Sequence, residues 1–193
     1  MSLQRLNNLN LGCMAIVALL LLPACSVNVK KGENGQEKNV DIRTPVGNIK
    51  VDKEADARDT GLSVYPGARI RHDDDDHDSK SANVNLSFGE YGLKVVALEY
   101  ESDDKPEKIV SFYQAQLKKY GNVLECHVHS HGGHVDTGDK SDSDDLKCED
   151  SGGLTIELKV GTKQNQRIVS IEPQDKGSHF ALVRVQTHGK DTI

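Results

Sequence analysis

The sequence predicts an α+β protein in which a largely antiparallel sheet is packed by one main helix, over about residues 104–120, and is preceded by a β-hairpin and a flexible tether. Short segments in which apolar and polar residues alternate recur along the chain, as in half-buried strands. Sustained apolar spacing of three and four residues occurs in one segment of the mature body. Short turns separate consecutive strand candidates, which favours antiparallel pairing over a doubly wound parallel sheet.

Composition limits the class of protein further. The chain has 193 residues, of which 36% are hydrophobic and 28% charged, with no Trp and a net charge of −6. This length and apolar share suit one domain with a modest core plus appendages. The composition argues against wholesale disorder, collagen-like repeats and a polytopic membrane protein. The negative charge removes the main electrostatic basis for a nucleic-acid partner.

The first 24 residues have the pattern of a secretory signal peptide. A single charged side chain, Arg5, precedes an apolar run at 11–22. That run is too short to span about 30 Å of hydrocarbon as a permanent helix. We therefore expect residues 1–24 to be removed.

The next segments predict a connection and a hairpin. Residues 26–39 are polar and contain glycine, which is typical of a flexible tether. Residues 40–44 and 49–51 alternate with period two on either side of Pro45-Val46-Gly47-Asn48, and this pattern predicts a β-hairpin. Residues 52–60 are charged and predict a linker or a short helix.

The main helix has start and stop signals as well as an apolar stripe. Asp104 and Glu107 predict a capping box, Pro106 fits the first turn, and Gly121 follows the last turn. The stripe points to packing against a sheet. Its members are Ile109, Val110, Tyr113, Leu117 and Tyr120.

The remaining strand candidates flank this helix. They lie at 82–88, 93–101, 122–128, 145–149, 154–161, 166–172 and 179–187.

The end of the apolar run resembles the lipobox of bacterial lipoproteins in Leu22-Pro23-Ala24-Cys25. The resemblance implies that the Cys25 thiol receives a diacylglyceryl group, that the chain is cleaved before it, and that the new amino terminus is acylated. Ser26 after the cysteine implies export to the outer membrane. An ordinary secretory signal cleaved after Ala24, leaving Cys25 as a free thiol, is the alternative. The division into domains is then a signal at 1–24, a lipidated terminus and tether at 25–39, a hairpin and linker at 40–60, and an α+β domain at 61–193.

The body resembles a group of uncharacterised bacterial envelope proteins that share a Tyr-Pro-Gly-Ala turn and a strand running into an acidic, Pro-containing helix start. The turn is Tyr65-Pro66-Gly67-Ala68, and the resemblance spans about a third of the mature chain. The matching helix residues are Asp103, Asp104, Pro106, Glu107, Phe112, Tyr113 and Leu117. The group supports the fold and implies no activity.

Two cysteines remain after signal removal and lipidation, Cys126 and Cys148. An oxidising compartment predicts a disulfide between them, which would contribute about 3 kcal/mol by closing a loop of roughly 20 residues. Both flanking segments have strand character, so we expect them to pair as a hairpin beneath a long polar loop. A metal site or a redox pair is the alternative, although no Cys-x-x-Cys motif occurs.

Six of the eight histidines fall at 72–78 and 127–136. In a strand, the first three histidines of the second segment would share one face, and the glycines after them could turn the fourth back. The candidate ligands of a divalent transition metal such as Zn²⁺, Ni²⁺ or Cu²⁺ are His127, His129, His131, His134 and Asp136. A solvated polar loop without a cofactor, or a pH-responsive loop, explains the same composition.

Sequence motifs of enzymes are absent, including the Gly-x-Ser-x-Gly elbow, the Walker loop and His-Glu-x-x-His. We therefore expect a non-catalytic binding or structural module of the cell envelope, anchored to the outer membrane and facing the periplasm. Its partners would be the membrane, through the lipid, and an envelope protein or ligand that the sequence does not identify. An envelope metal-binding protein and a small periplasmic hydrolase are the alternative functions.

Overall fold

A computed structural model describes residues 25–31, 37–53, 55–72, 81–129, 144–148 and 152–188. In this part of the chain, ten strands and two α-helices follow one another, with a 3₁₀ turn at Lys118–Tyr120. The elements are β1 (Ser26–Lys31), β2 (Glu37–Thr44), β3 (Gly47–Asp52), α1 (Ala57–Thr60), β4 (Arg69–Ile70), β5 (Ser81–Phe88), β6 (Tyr91–Ser102), α2 (Pro106–Leu117), β7 (Leu124–Val128), β8 (Thr155–Thr162), β9 (Asn165–Pro173) and β10 (Ser178–His188).

The strands form one open sheet in the order β1-β2-β3-β5-β6-β10-β9-β8-β7, and each neighbouring pair is antiparallel. The two-residue β4 pairs with the end of β6, beyond the stretch that β5 covers. The predicted α+β class with a largely antiparallel sheet is therefore confirmed.

Two glycines with positive φ permit tight turns. Gly89 adopts φ +58° between β5 and β6, where Phe88 pairs with Tyr91 across a two-residue turn. Gly67 adopts φ +79° in the Tyr-Pro-Gly-Ala turn, and the Ala68 N–H donates to the Tyr65 carbonyl at 3.0 Å. Pro followed by a left-handed Gly is the arrangement of a type II turn.

The main core lies between α2 and one face of the sheet, which we call the helix-side face. Four residues of the predicted stripe are buried on α2, namely Ile109, Val110, Tyr113 and Leu117. They pack against strand residues from β6, β8, β9 and β10. These include Val96, Leu98, Tyr100, Leu158, Val160, Val169, Ile171, Phe180 and Leu182. The other face, the opposite face, has a smaller cluster around Ile168, Val183 and Val185.

The start of α2 differs from the predicted capping box. The N-cap residue is Lys105, and no side chain caps the helix. The Asp104 carboxylate instead accepts hydrogen bonds from Tyr65 at 2.9 Å and Lys108 at 2.6 Å. The Asp104 carboxylate, which the local pattern predicted to cap the helix, is therefore bound by the distant Tyr65. Pro106 begins the helix as predicted.

The connection after Cys25 also differs from the predicted tether. Ser26–Lys31 forms β1 and pairs with β2, from Ser26 with Arg43 to Lys31 with Glu37. Val27 and Val29 alternate with polar residues in this segment, and the edge of β2 offers backbone partners to such a strand. The polar composition that suggested a tether also fits an edge strand.

Candidate functional site

Cys25 lies at one end of the sheet, directly before β1, and its thiol is exposed and free. Leu22, Pro23 and Ala24, the rest of the lipobox resemblance, lie outside the described residues. Ser26 pairs with Arg43, so Cys25 is next to the turn that joins β2 to β3. The cysteine is therefore accessible and close to a loop end of the sheet.

Strand register brings two turns to this same end of the sheet. Thr44 pairs with Gly47, Gly47 pairs with Phe88, and Phe88 pairs with Tyr91. We call this edge, formed by Cys25 and the β2–β3 and β5–β6 turns, the Cys25 end.

Strands β1, β2, β3 and β5, which we call the wing, are amphipathic. Residues directly opposite each other in an antiparallel pair share a face. On the helix-side face the wing is polar, with an ion pair between Arg43 and Asp41 at 2.8 Å and a hydrogen bond from Ser87 to Asn48.

On the opposite face the wing and the adjoining β6 are aliphatic. One row crosses these strands as Val29, Val40, Val51, Val84 and Val95. A second row, nearer the Cys25 end, is Val27, Ile42, Ile49, Leu86 and Leu93. These side chains are partly or largely exposed, and the extensive contacts of the wing strands are with neighbouring strands.

The predicted disulfide between Cys126 and Cys148 is confirmed, with 5.5 Å between the two Cα atoms. Cys126 is buried in β7 on the opposite face, where it pairs with Glu157 of β8. The prediction that residues 145–149 form a strand beside β7 is wrong for 145–148, which have no regular secondary structure, and the strand that pairs with β7 is β8. Residue 149 lies outside the described residues. The segment at 144–148 is held by Asp144, which accepts from the Lys163 N–H at 3.2 Å.

The predicted metal ligands are only partly within the described residues. His127 and His129 are exposed and alternate with the buried Cys126 and Val128. The His127 Nε2 atom lies 3.4 Å from the Glu125 carboxylate.

The other three candidate ligands, His131, His134 and Asp136, lie outside the described residues. Within the described ranges, no group of three or more His, Cys, Asp or Glu side chains is arranged to hold a metal ion.

A buried ion pair on the opposite face of β8 was not predicted. Lys159 Nζ lies 3.2 Å from Glu157 Oε2, and the two side chains are 1% and 0% exposed. The sequence signal was present but ambiguous, since these residues alternate with apolar Ile156, Leu158 and Val160 as solvent-facing residues would. Whether Glu157 and Lys159 are exposed or buried depends on whether the opposite face of β8 is covered, which the sequence pattern does not show.

A second unpredicted cluster joins the helix-side face to α1. Arg167 and Arg184 are cross-strand neighbours, and they donate to the carbonyls of Thr60 at 3.0 Å and Asp59 at 3.1 Å. The Arg167 guanidinium also lies 3.7 Å from the centre of the Tyr120 ring. Burial, followed by the nearby Arg184 charge, lowers the pKa of Arg167. The carbonyls at the end of α1 offset this positive charge.

The Tyr-Pro-Gly-Ala turn is attached to α2 by polar and aromatic contacts. The Tyr65 N–H donates to the Tyr113 hydroxyl at 3.1 Å, and the rings of Tyr65 and Phe112 meet edge to face at 5.1 Å. Hydrogen bonds from Lys108 and then Tyr65 lower the pKa of the Asp104 carboxyl. Tyr65, Asp104, Lys108 and Phe112 also line a shallow open groove. Several residues of the envelope-protein resemblance thus attach the turn to α2.

Comparison of the chain with protein-family models, curated proteins and solved structures gave no match.

Proposed function

We propose that this chain is a lipoprotein of the bacterial cell envelope, anchored to the outer membrane through acyl groups on Cys25 and facing the periplasm. Its α+β domain acts as a non-catalytic binding or structural module. The anchor is inferred from the lipobox resemblance and from the ability of a cysteine thiol to carry a lipid group through a thioether. Several acyl chains are needed for stable membrane attachment.

The observation that best supports the lipid anchor is the accessibility of the Cys25 thiol at the lipobox position. Within the described residues, Cys126 and Cys148 are joined to each other, whereas Cys25 is exposed and free. A thioether requires such a thiol. In the described ranges no helix has the length and apolar character needed to cross a bilayer. A lipid group at Cys25 would supply the membrane attachment.

The anchor would connect to the sheet over a short distance. β1 starts at Ser26, one residue after Cys25, and the β2–β3 hairpin follows it. In this proposal β1 and the hairpin replace the long flexible tether as the link between lipid and domain. The domain would then be held close to the membrane surface.

The polar clusters support a non-catalytic role. Lys159 is paired with Glu157, the Arg167 guanidinium is bound to a helix terminus, and Asp104 accepts two side-chain hydrogen bonds. The last two of these contacts join separate parts of the fold, β9 to α1 and the Tyr65 turn to the start of α2. Hydrolysis of generic ester, peptide or phosphate substrates by the purified protein would contradict this role.

Metabolic labelling with palmitate in a bacterial host tests the anchor. We expect the native protein to incorporate label and to fractionate with membranes, and the Cys25→Ser protein to lose both properties. Cys13→Ser is the matched control, because Cys13 lies in the predicted signal and its replacement should leave labelling unchanged. Labelling that persists in the Cys25→Ser protein would refute the anchor.

A divalent-metal binding function is the second candidate, favoured by one observation. His127 in β7 and His129, directly after the end of β7, are both exposed. Zn²⁺ titration of the native protein by calorimetry tests it, with the double replacement of His127 and His129 by Ala expected to weaken binding. His179→Ala serves as the control outside the cluster. Equal affinity in all three proteins would exclude these residues as ligands.

A further inference from the structure

The character of the opposite face changes along the strands. Near the Cys25 end it consists of the two aliphatic rows described above. At the far end of β6 it becomes ionic, with Arg71 paired to Glu99 at 3.2 Å and Arg69 paired to Glu101 at 3.1 Å. One end of the face is therefore suited to an apolar environment and the other end to water.

Among the described residues, several of the most exposed large apolar side chains lie at the Cys25 end, whereas Leu154, which is 81% exposed, precedes β8 at the other end of the sheet. Val46, in the β2–β3 turn, is 74% exposed, and Val27 of β1 is 63% exposed. Phe88 and Tyr91, on either side of the β5–β6 turn, are 48% and 50% exposed. Exposed apolar residues that are contiguous rather than scattered mark an interaction surface. Tyrosine, with an apolar ring and a polar tip, suits a membrane–water boundary.

We propose that the aliphatic face of the wing, together with Val46, Phe88 and Tyr91, docks onto the lipid bilayer that holds the Cys25 anchor. This inference rests on the proposed lipoprotein function and extends it by defining the orientation of the domain. Acyl groups on Cys25 would enter the bilayer beside the Phe88 and Tyr91 row. The ionic end of the opposite face then points away from the membrane.

The position and the size of the face favour a bilayer over a second copy of the chain. Cys25, the proposed lipidation site, is exposed directly before β1, at the end of the sheet where this face begins. Five strands about 4.8 Å apart and three side-chain rows about 6.8 Å apart occupy a face of roughly 24 by 20 Å, or about 490 Å². A stable protein–protein interface needs about 800 Å² per partner. For a tethered domain, by contrast, a weak surface affinity is sufficient because its effective concentration at the membrane is high.

The absence of Trp from the sequence allows a direct test with a single fluorescent probe. Phe88→Trp places the probe on the aliphatic face. Ser87→Trp is the matched control, one residue away on the polar face of the same strand. Each protein is produced with its native Cys25, purified and reconstituted into phosphatidylethanolamine–phosphatidylglycerol vesicles with brominated acyl chains. We expect blue-shifted emission and severalfold stronger quenching for Phe88→Trp than for Ser87→Trp.

Equal quenching of the two proteins, or quenching of neither, would overturn the docking. Adding Val46→Asp, in an exposed turn where the fold should tolerate it, is expected to reduce quenching of the Phe88→Trp protein; unchanged quenching would also count against docking. A blue shift of the lipid-free Cys25→Ser, Phe88→Trp protein that follows dimerisation in sedimentation would assign the face to a second copy instead.

The anchor and the docking are separated by mass spectrometry of the amino-terminal peptide from the same samples. An acylated peptide without selective quenching at position 88 refutes the docking and leaves the anchor intact. A peptide without acyl groups refutes the anchor, while selective quenching of that protein by added vesicles would still support docking.

Discussion

Replacing one residue of the buried ion pair in β8 tests directly whether the opposite face of this strand is shielded from water. Lys159 and Glu157 lie 3.2 Å apart with side chains that are 1% and 0% exposed. We predict that Lys159→Met destabilises the protein by about 3–5 kcal/mol, because it leaves a buried carboxylate without its cation. This would be a large part of the 5–15 kcal/mol that is typical of a domain.

The magnitude follows from two opposing contributions. At an effective dielectric constant of about 20, two unit charges 3.2 Å apart attract each other by about 5 kcal/mol. Removing both charges from water costs several kcal/mol per ion, so the intact pair contributes little net stability. The double replacement Glu157→Gln, Lys159→Met should therefore recover most of the stability that the single replacement loses.

Urea unfolding at neutral pH, with the disulfide intact, measures both effects, and the slope m should be the same in all variants. A loss below about 1 kcal/mol, or a double variant as unstable as the single one, would show that water reaches the pair and would refute the reasoning.

Two further predictions concern the disulfide and the Asp104 carboxylate. Replacing Cys126 and Cys148 by Ala should lower the free energy of unfolding by about 3 kcal/mol, measured by urea unfolding, because a loop with a sequence separation of 22 is no longer closed in the unfolded chain; an unchanged midpoint would contradict this account. The Asp104 carboxyl has a folded-state pKa below its ordinary value of 3.8, mainly because Lys108 donates to it. The stabilisation from this ionised carboxylate is therefore present above about pH 4 and is lost as the pH falls through its folded-state pKa. Asp104→Asn should flatten the acid side of the plot of unfolding free energy against pH. An unaltered plot would exclude this contribution of the contact.

Local pattern predicted the elements whose own residues determine their structure. Alternation located β5, β6, β8, β9 and β10 to within about two residues, and the apolar stripe with Pro106 located α2. Alternation succeeds in strands because side chains point to opposite faces with a period of two residues. The disulfide was predicted by counting cysteines, since only two were left to pair.

Errors arose where a residue could find either a local or a distant partner. Asp104 was expected to cap α2, but its carboxylate instead accepts a hydrogen bond from Tyr65, which lies 39 positions earlier. Residues 145–149 alternate apolar and charged residues as a strand would, yet the described residues 144–148 form no regular secondary structure, and Cys148 is held by its disulfide to Cys126. A polar edge strand and a tether have similar compositions, so β1 was missed.

The sequence by itself determined the α+β class, the disulfide and the sites where lipid or metal chemistry is expected, because these depend on residue type and short-range spacing. Only the tertiary structure decided which face of each strand is covered. That choice buries the charges of Glu157 and Lys159 and leaves the aliphatic face of the wing exposed beside Cys25. The physical reason is that alternation defines two faces, whereas the packing of distant elements determines which of them meets water.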